Sequence, residues 1–147
     1  MFLAWLFCVC NGYLQARWLT ALGPVYDESL LRFPRFVGGL LVWLHGFCLN
    51  YQADAILRGL RTGKPGEPRY SIPRGGLFEL VSGANYAAEI YEWAGFAIAA
   101  WSLPALTFAA FTFLNTAPRG YKHHLWYLEK FEDRYPKNRK AVIPFVW

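Results

Sequence analysis

The chain has 147 residues, a length suited to one domain, and 55% of them are hydrophobic while only 17% are charged. An average soluble domain carries about 25% charged residues, so this composition argues against an ordinary water-soluble domain and favours a membrane protein. The net charge is +5, but the basic residues flank apolar blocks, as in membrane proteins, and this distribution argues against a nucleic-acid partner.

The first apolar block covers residues 1–16 without a charge, and its apolar character continues to about residue 25. It has no basic segment or small-residue cleavage site, so we predict no signal peptide. The three cysteines, at positions 8, 10 and 48, lie in apolar stretches. We expect them to behave as small hydrophobic residues, and we predict neither disulfides nor a metal site.

The second apolar block, residues 36–52, holds seventeen uncharged residues, near the lower limit for a membrane-spanning helix. A charged segment containing Pro34 separates it from the first block, and we predict a lumenal loop at 26–35. The segment that follows the second block, "RTGKPGEPRYSIPRGG", is dense in proline and glycine, which predicts a non-helical loop.

The third apolar region, residues 85–118, has Pro104 in its middle and is too long for a single span of a bilayer about 30 Å thick. Two helices that turn near 102–104 place the basic clusters within 53–83 and 119–140 on the same, cytoplasmic, side. The sequence therefore predicts an all-α, multi-pass transmembrane bundle with about four membrane helices, the last of which continues into the tail.

Polar residues recur at helical spacing near the predicted cytoplasmic end of three helices, so each set shares one helix face. The first set is Asn50, Asp54, Arg58 and Arg61, the second is Asn85, Glu89 and Glu92 beside Trp93, and the third is Arg119, His123 and Tyr127. Any one set alone is explained as a solvated helix face. Together they offer arginines for phosphates and amides and carboxylates for ribose hydroxyls, which favours a nucleotide site. The sequence shows neither the Gly-x-Gly-x-x-Gly fingerprint nor a Walker loop.

Several motifs in this order resemble the steroid 5α-reductase family over nearly the whole chain. They are "FCVCNGYLQARWL", "NYQADAILRGLR", "YSIPRGGLFELVSGANY", "EIYEWAGFAIAAWSLPAL" and "HHLWYLEKFEDRYPKNRKAVIPFVW". The resemblance implies a multi-pass membrane enzyme of the endoplasmic reticulum. Such enzymes use NADPH to reduce the C4–C5 double bond of 3-oxo-Δ4-steroids.

The resemblance also implies roles for individual residues. It assigns NADPH binding to Asn50, Asp54 and Arg61, and Arg58 joins these candidates because it shares their helix face. Other positions match cofactor or active-site positions of the family, namely Tyr70, Asn85, Glu89, Arg119, His123 and Tyr127. Trp93 and Phe111 match positions that line the steroid cavity. Glu89 and Tyr127 are the candidate catalytic residues, and the proton donor stays open.

The sequence departs from the family pattern at several points. Ser71 stands where a Lys or Arg is common, Ala87-Ala88 replaces a frequent aromatic–Gly pair, and Arg134 is an extra residue. The family's upstream helices, which carry the Glu and Tyr that polarise the steroid ketone, have no counterpart. We therefore expect residues 1–147 to form the C-terminal membrane domain of a larger bundle, with little 5α-reduction on their own.

Two alternatives stay open at this point: an ene-reductase for another lipid, such as a very-long-chain enoyl-CoA or a polyprenol, and a non-catalytic membrane fragment. The expected partners are a steroid or other lipid substrate and membrane lipids, and the sequence leaves the oligomeric state open.

Overall fold

The computed structural model describes residues 2–24, 29, 32–60 and 70–147. Within these ranges the regular structure is helical, and the only strand-like pairing is an isolated parallel bridge between Val81 and Lys140. The main helices are α1 (Phe2–Arg17), which continues into a π-helical segment (Trp18–Leu22), α2 (Pro34–Leu60), α3 (Ala84–Ala100) and α4 (Leu103–Phe131). Short 3₁₀ turns lie at Gly76–Glu79 and Glu132–Arg134.

The all-α prediction is confirmed, and four main helices occupy the predicted apolar blocks. The second block is part of a longer helix, because α2 continues past residue 52 to Leu60. Among the described residues, no helix combines the length and apolar character that crossing a membrane requires. Half of the predicted lumenal loop, residues 26–28 and 30–31, lies outside the described residues, as do residues 61–69 of the Pro/Gly-rich loop. The end of the predicted lumenal loop is helical, because α2 begins at Pro34.

Helices α2 and α3 pack closely because glycines stand where they meet. A Cβ atom at Gly46 would lie 2.6 Å from the Cα of Glu92, and one at Gly39 would lie 2.8 Å from the Cα of Ala99. On the opposing helix, a Cβ atom at Gly95 would lie 2.9 Å from the Cα of Trp43. The two backbones therefore approach at positions that have no room for a side chain.

The predicted hairpin between α3 and α4 is confirmed, with two residues between the helices. Trp101 ends α3 in the left-handed conformation, with φ 46° and ψ 47°. The Ser102 hydroxyl then caps α4 by accepting a hydrogen bond from the Ala105 N–H at 3.2 Å. Pro104 lies in the first turn of α4, where a missing N–H costs nothing. These local features reverse the chain so that α4 runs back along α3.

The C-terminal tail is attached to the segment that precedes α3. Ser82 N–H donates to the Lys140 carbonyl at 2.8 Å, Gly83 N–H donates to the Ala141 carbonyl at 2.9 Å, and Lys140 N–H donates to the Leu80 carbonyl at 2.9 Å. Val81, between these bonds, is fully buried. The tail thus covers the start of α3 at the end of the molecule where the polar helix faces lie.

We predict that Gly39→Ala lowers the free energy of unfolding by about 1–3 kcal/mol, because the new methyl group meets the Ala99 backbone, which cannot move aside easily. The matched control is Gly38→Ala, since an added Cβ at Gly38 meets nothing within 4 Å. Alanine is the better helix former by about 0.5–1 kcal/mol, so this control should be neutral or stabilising. Denaturant titration followed by circular dichroism measures both, and equal changes would contradict the close packing.

Candidate functional site

The polar face of α2 turns towards α3. The Asn50 side-chain amide donates a 3.2 Å hydrogen bond to the Glu92 carboxylate, although 42 residues separate the two in sequence. Asp54 and Arg58 form a loose ion pair with 3.9 Å between nitrogen and oxygen, and both side chains are more than half exposed. Arg61, the fourth member of this face, lies outside the described residues.

The polar face of α3 carries two carboxylates at different depths. Glu92 is buried, with 7% of its surface exposed, and Asn50 satisfies one of its oxygens. Glu89 is half-buried, and Arg119 of α4 lies within electrostatic range of it, as do Asp54 and Glu92. Asn85, one turn before Glu89, is also half-buried. The structure therefore brings residues from α2, α3 and α4 into one polar cluster, in which Arg119 offsets part of the negative charge.

The polar face of α4 divides between two environments. Arg119 and His123 are exposed near the start of α3, and the His123 ring packs edge-on against Tyr86 with 5.5 Å between ring centroids. Tyr127 is buried instead, and its ring stacks on Tyr135 of the tail at 5.3 Å. Burial, reinforced by Tyr135, raises the pKa of Tyr127, so its phenol stays protonated as a hydrogen-bond donor.

Trp93 and Phe111, the residues matched to the steroid cavity, belong to one aromatic cluster. Trp93 meets Phe108 edge-on at 4.5 Å, and Phe7 of α1 stacks on Phe111 at 4.5 Å and on Phe108 at 6.1 Å. Because Trp93 lies one helical turn after Glu89, this apolar aromatic cluster follows directly on the polar cluster along α3.

Next to Tyr127, three side chains form a hydrogen-bonded chain that the sequence did not predict. The Tyr135 hydroxyl donates to Ser82 Oγ at 2.6 Å, and Ser82 Oγ lies 2.6 Å from His124 Nδ1. Ser82 Oγ, which accepts from Tyr135, can donate its own proton to Nδ1 of a neutral His124 that carries its proton on Nε2. Burial, with a contribution from Lys140, lowers the pKa of His124 and favours that neutral form.

Arg139 fixes the tail to the segment before α3 and is also absent from the sequence-based candidates. Arg139 is 2% exposed, and its guanidinium donates to the Pro73 carbonyl at 2.8 Å and pairs with Glu79 at 3.3 Å. The Gly75 N–H, aided by Arg139, holds the pKa of the Glu79 carboxyl below its usual value. Residues so far apart in sequence leave no periodic signal, so no local pattern predicted this contact.

Tyr70, matched to the cofactor site, lines a basic cavity of about 700 Å³ at the end of α4. Two points at which the sequence departs from the family pattern, Ser71 and Arg134, line this same cavity. The remaining lining residues are Ile72, Arg74, Lys130 and Phe131.

Comparison with known proteins gives consistent matches over the whole chain. The sequence profile of the 3-oxo-5-alpha-steroid 4-dehydrogenase family matches residues 1–147. The chain is 55% identical over 144 residues to 3-oxo-5-alpha-steroid 4-dehydrogenase 1 of Mus musculus, a match that covers 98% of the chain and 55% of that relative. It is 51% identical to the Homo sapiens protein of the same name, covering 99% of the chain and 54% of the relative.

A plant protein matches almost as well. The steroid 5-alpha-reductase DET2 of Gossypium hirsutum is 49% identical over 146 residues, with 99% of the chain and 56% of the relative covered. The chain thus spans about half the length of the curated relatives it matches.

The Ser82–His124 pair generates a prediction about pH. Because the folded pKa of His124 lies below its unfolded value of about 6.5, the pair stabilises the fold fully above that value, and this contribution is lost as pH falls through the folded pKa. We expect the wild-type free energy of unfolding to fall more steeply below about pH 6.5 than that of His124→Asn, whose amide oxygen replaces Nδ1 without titrating.

Denaturant titrations across the pH range, followed by tryptophan fluorescence, measure this difference. Other groups titrate equally in both proteins, so the difference between the two slopes isolates His124. Ser82→Ala serves as the control, since it leaves the buried Tyr135 hydroxyl unpaired and should destabilise by about 1–3 kcal/mol. Identical pH slopes for wild type and His124→Asn would show that His124 is not held neutral.

Proposed function

The chain belongs to the 3-oxo-5-alpha-steroid 4-dehydrogenase family, and we propose that it takes part in NADPH-dependent reduction of the C4–C5 double bond of a 3-oxo-Δ4-steroid. None of the three relatives described above is named for another lipid, so the steroid is the favoured substrate class. The single observation that carries the proposal beyond family membership is the meeting of three polar helix faces in one cluster.

The residues of this cluster fit a nicotinamide dinucleotide chemically. Arg119 supplies a guanidinium for a phosphate oxygen, and Asn85 supplies an amide for a ribose hydroxyl or for the nicotinamide carboxamide. Glu89 accepts hydrogen bonds from such hydroxyl or amide groups. Asn50 and Glu92 are hydrogen-bonded to each other at 3.2 Å, so each already has a polar partner within the cluster. When bound, NADPH supplies the hydride that is added to the steroid at C5.

The aromatic cluster next to this polar site suits a flat apolar substrate. The rings of Trp93, Phe108 and Phe111 present a hydrocarbon surface one turn from Glu89, against which a steroid skeleton can be buried from water. We propose that these rings form one wall of the substrate cavity. The polar cluster favours binding of the dinucleotide, and the neighbouring apolar rings favour binding of the steroid. Binding in adjacent sites brings the two reactants together in a fixed orientation.

Reduction also requires a group that stabilises negative charge on the steroid C3 oxygen. Tyr127, the sequence-based candidate, keeps its proton because its phenol is buried, but about 24 Å of α4 separates it from Phe111, so it does not reach a steroid held against the aromatic cluster. A donor of this kind is commonly worth about 2.7–4 kcal/mol of transition-state stabilisation.

We propose a membrane location for the chain, and the endoplasmic reticulum follows from the family resemblance. The support is the large apolar surface of α1, where Phe2 and Leu3 are 71% and 78% exposed and Trp5 is 63% exposed. Such a surface is costly in water and favourable against lipid.

The proposed reaction is tested in membranes that contain the protein together with the N-terminal part of a full-length relative, supplied with NADPH and a Δ4-3-ketosteroid. With NADPH deuterated at the transferable position, the 5α-reduced product should carry deuterium at C5, as measured by mass spectrometry. Membranes without the protein provide the background. Product without deuterium, or no product above background, would contradict the proposal.

We predict that Glu89→Gln lowers turnover about ten- to a hundredfold, because it removes a half-buried charge within range of Arg119, and charge-assisted interactions contribute about 1.5–3 kcal/mol. The matched control is Glu129→Gln, an exposed position on α4 outside the cluster, which should retain activity. Circular dichroism establishes that both variants fold. Equal turnover of the two variants would remove Glu89 from the site.

A further inference from the structure

The hydrogen-bonded chain of Tyr135, Ser82 and His124 belongs to neither the polar cluster nor the aromatic cluster. It runs from the Tyr135 hydroxyl through Ser82 Oγ to His124 Nδ1, and each of its two contacts measures 2.6 Å. Its members come from the tail, from the segment before α3 and from α4. Tyr135 and Ser82 are 1% and 3% exposed. Buried polar groups are stable only when each has a partner, so this chain has one well-determined geometry.

The chain fixes the ring of Tyr135 against two side chains of α4. The Tyr135 ring meets the His124 ring at 6.3 Å, and it stacks on the Tyr127 ring at 5.3 Å with only 5° between the two planes. His124 and Tyr127 are three residues apart, so they are neighbours on one face of the helix. The hydrogen bond to Ser82 limits sliding of the Tyr135 ring along this face. The position of the Tyr127 ring therefore depends on that of Tyr135.

The Tyr127 hydroxyl is available to a ligand. It makes no hydrogen bond to the residues that the structure describes, and its oxygen is not sealed off from the surface. Because burial raises the pKa of Tyr127, the phenol keeps its proton and can donate it to an acceptor oxygen. A nicotinamide dinucleotide offers such oxygens on its phosphates, riboses and carboxamide. Tyr127 lies about 12 Å along α4 from Arg119, so an elongated ligand held by the polar cluster can reach it.

The protonation state of His124 determines whether the chain is complete. In the neutral ring, Nδ1 can accept the Ser82 proton, whereas in the protonated ring Nδ1 is itself a donor. Ser82 Oγ then faces two donors, from Tyr135 and His124, and its own proton has no acceptor within the chain. A buried donor without a partner is unfavourable, so we expect Ser82 to turn away and the Tyr135 ring to lose its anchor.

The surroundings of His124 favour the neutral ring. Burial lowers the pKa of His124, and the positive charge of Lys140 in the tail adds to this effect. The titratable side chain packed against His124 is Tyr135, and the Arg139 guanidinium lies over the other ring contact of that tyrosine, 5.6 Å from its ring centroid. Among the described residues, no carboxylate offsets these positive charges at His124. The chain is therefore complete at neutral pH.

We propose that this hydrogen-bonded chain holds the Tyr127 hydroxyl in position to bind the nicotinamide cofactor, and that it does so only while His124 is neutral. Ser82, His124 and Tyr135 are thus positioning residues, which act on the cofactor through Tyr127. The inference rests on the proposed function, because its ligand is the cofactor of the same reaction.

A double-mutant cycle tests the proposal. Membranes that contain the protein together with the N-terminal part of a full-length relative are titrated with tritium-labelled NADP⁺, which binds without turnover. Tyr127→Phe should weaken NADP⁺ by about fivefold and Tyr135→Phe by about threefold, as expected for neutral hydrogen bonds. The double variant should bind no more weakly than Tyr127→Phe alone, because Tyr135 acts through the Tyr127 hydroxyl.

The opposite result is equally clear. Additive losses, about fifteenfold in the double variant, would show that Tyr135 affects the cofactor independently of Tyr127 and would overturn the proposal. A general loss of structure also gives a further loss in the double variant, so the cycle separates positioning from misfolding. Tyr121→Phe removes an exposed hydroxyl from the same helix and is the matched control, with unchanged NADP⁺ affinity.

The dependence on His124 is tested by two substitutions and by pH. Near neutral pH, His124→Asn should keep the wild-type NADP⁺ affinity, because its amide oxygen replaces the acceptor, while His124→Leu should weaken binding by about threefold. The stabilising form of His124 is lost as pH falls through its lowered pKa, so towards about pH 5 the wild type should bind less tightly than His124→Asn.

The ratio of the two affinities at each pH cancels the titration of the cofactor phosphate and of groups that both proteins share. This ratio should become independent of pH when both proteins also carry Tyr127→Phe. A constant ratio in the presence of Tyr127, or equal binding by His124→Asn and His124→Leu, would contradict the role of His124.

Nitrogen NMR of histidine-labelled protein in the same membranes reads the tautomer directly. The chain has three histidines, and the signal that disappears in His124→Asn belongs to His124. At neutral pH this ring should be neutral with its proton on Nε2. A proton on Nδ1 would show that Ser82 does not donate to it, and the proposal would fail.

The outcomes also separate this proposal from the proposed function. If deuterium is transferred from NADPH to the steroid while the losses in the cycle are additive, the function stands and the positioning role fails. If the cycle is non-additive as described but no deuterated product forms, the positioning role stands and the steroid reduction fails. An absence of NADP⁺ binding by the wild type would overturn both.

Discussion

The close approach of α2 and α3 is the constraint on which the rest of the structure depends. The two helices meet backbone to backbone because Gly39, Gly46 and Gly95 leave no side chain between them. Gly46 faces Glu92, so the same contact that brings the helices together also brings the Glu92 carboxylate within 3.2 Å of Asn50. A wider separation would leave a buried carboxylate without its partner, which is costly in a medium of low dielectric. The packing of α2 on α3 and the position of the Glu92 carboxylate therefore depend on the same interface.

A second constraint acts at the end of the molecule where the polar faces lie. The buried Arg139 joins the tail to Pro73 and Glu79, while Tyr135 joins it to Ser82. These bonds hold the segment before α3 against α4 and orient the ring of Tyr127 by stacking. The same segment carries Tyr70 and Arg74, which line the basic cavity together with Lys130 and Arg134. The polar cluster and the cavity are therefore built by different contacts and can be altered separately.

The distribution of charge follows the same division. Asp54, Glu89 and Glu92 come together in the polar cluster, where Arg119 and the Asn50 amide offset part of the repulsion among the carboxylates. The basic cavity, in contrast, is lined by the positively charged Arg74, Lys130 and Arg134.

The sequence by itself determined the helices and the faces they carry. Apolar blocks bounded by proline, glycine and charges predicted the four helices, and Ser102 with Pro104 predicted the turn between the last two, because capping and proline chemistry act over a few residues. Spacing of three and four residues likewise showed which polar side chains share a face. The motifs identified the family, since their order and content are specific.

Only the tertiary structure decided which faces meet. Periodicity places Asn50 and Glu92 on their own helices but holds no information on their 3.2 Å contact, which the glycines of the interface create. Tyr127 shares a stripe with Arg119 in sequence, yet it packs into the tail, because Tyr135 arrives beside it from a later segment. The Ser82–His124–Tyr135 chain and the gathering of Arg74 with Arg134 arise in the same way. Contacts between residues 40 to 60 positions apart depend on how whole helices pack, and no local pattern in the sequence records that packing.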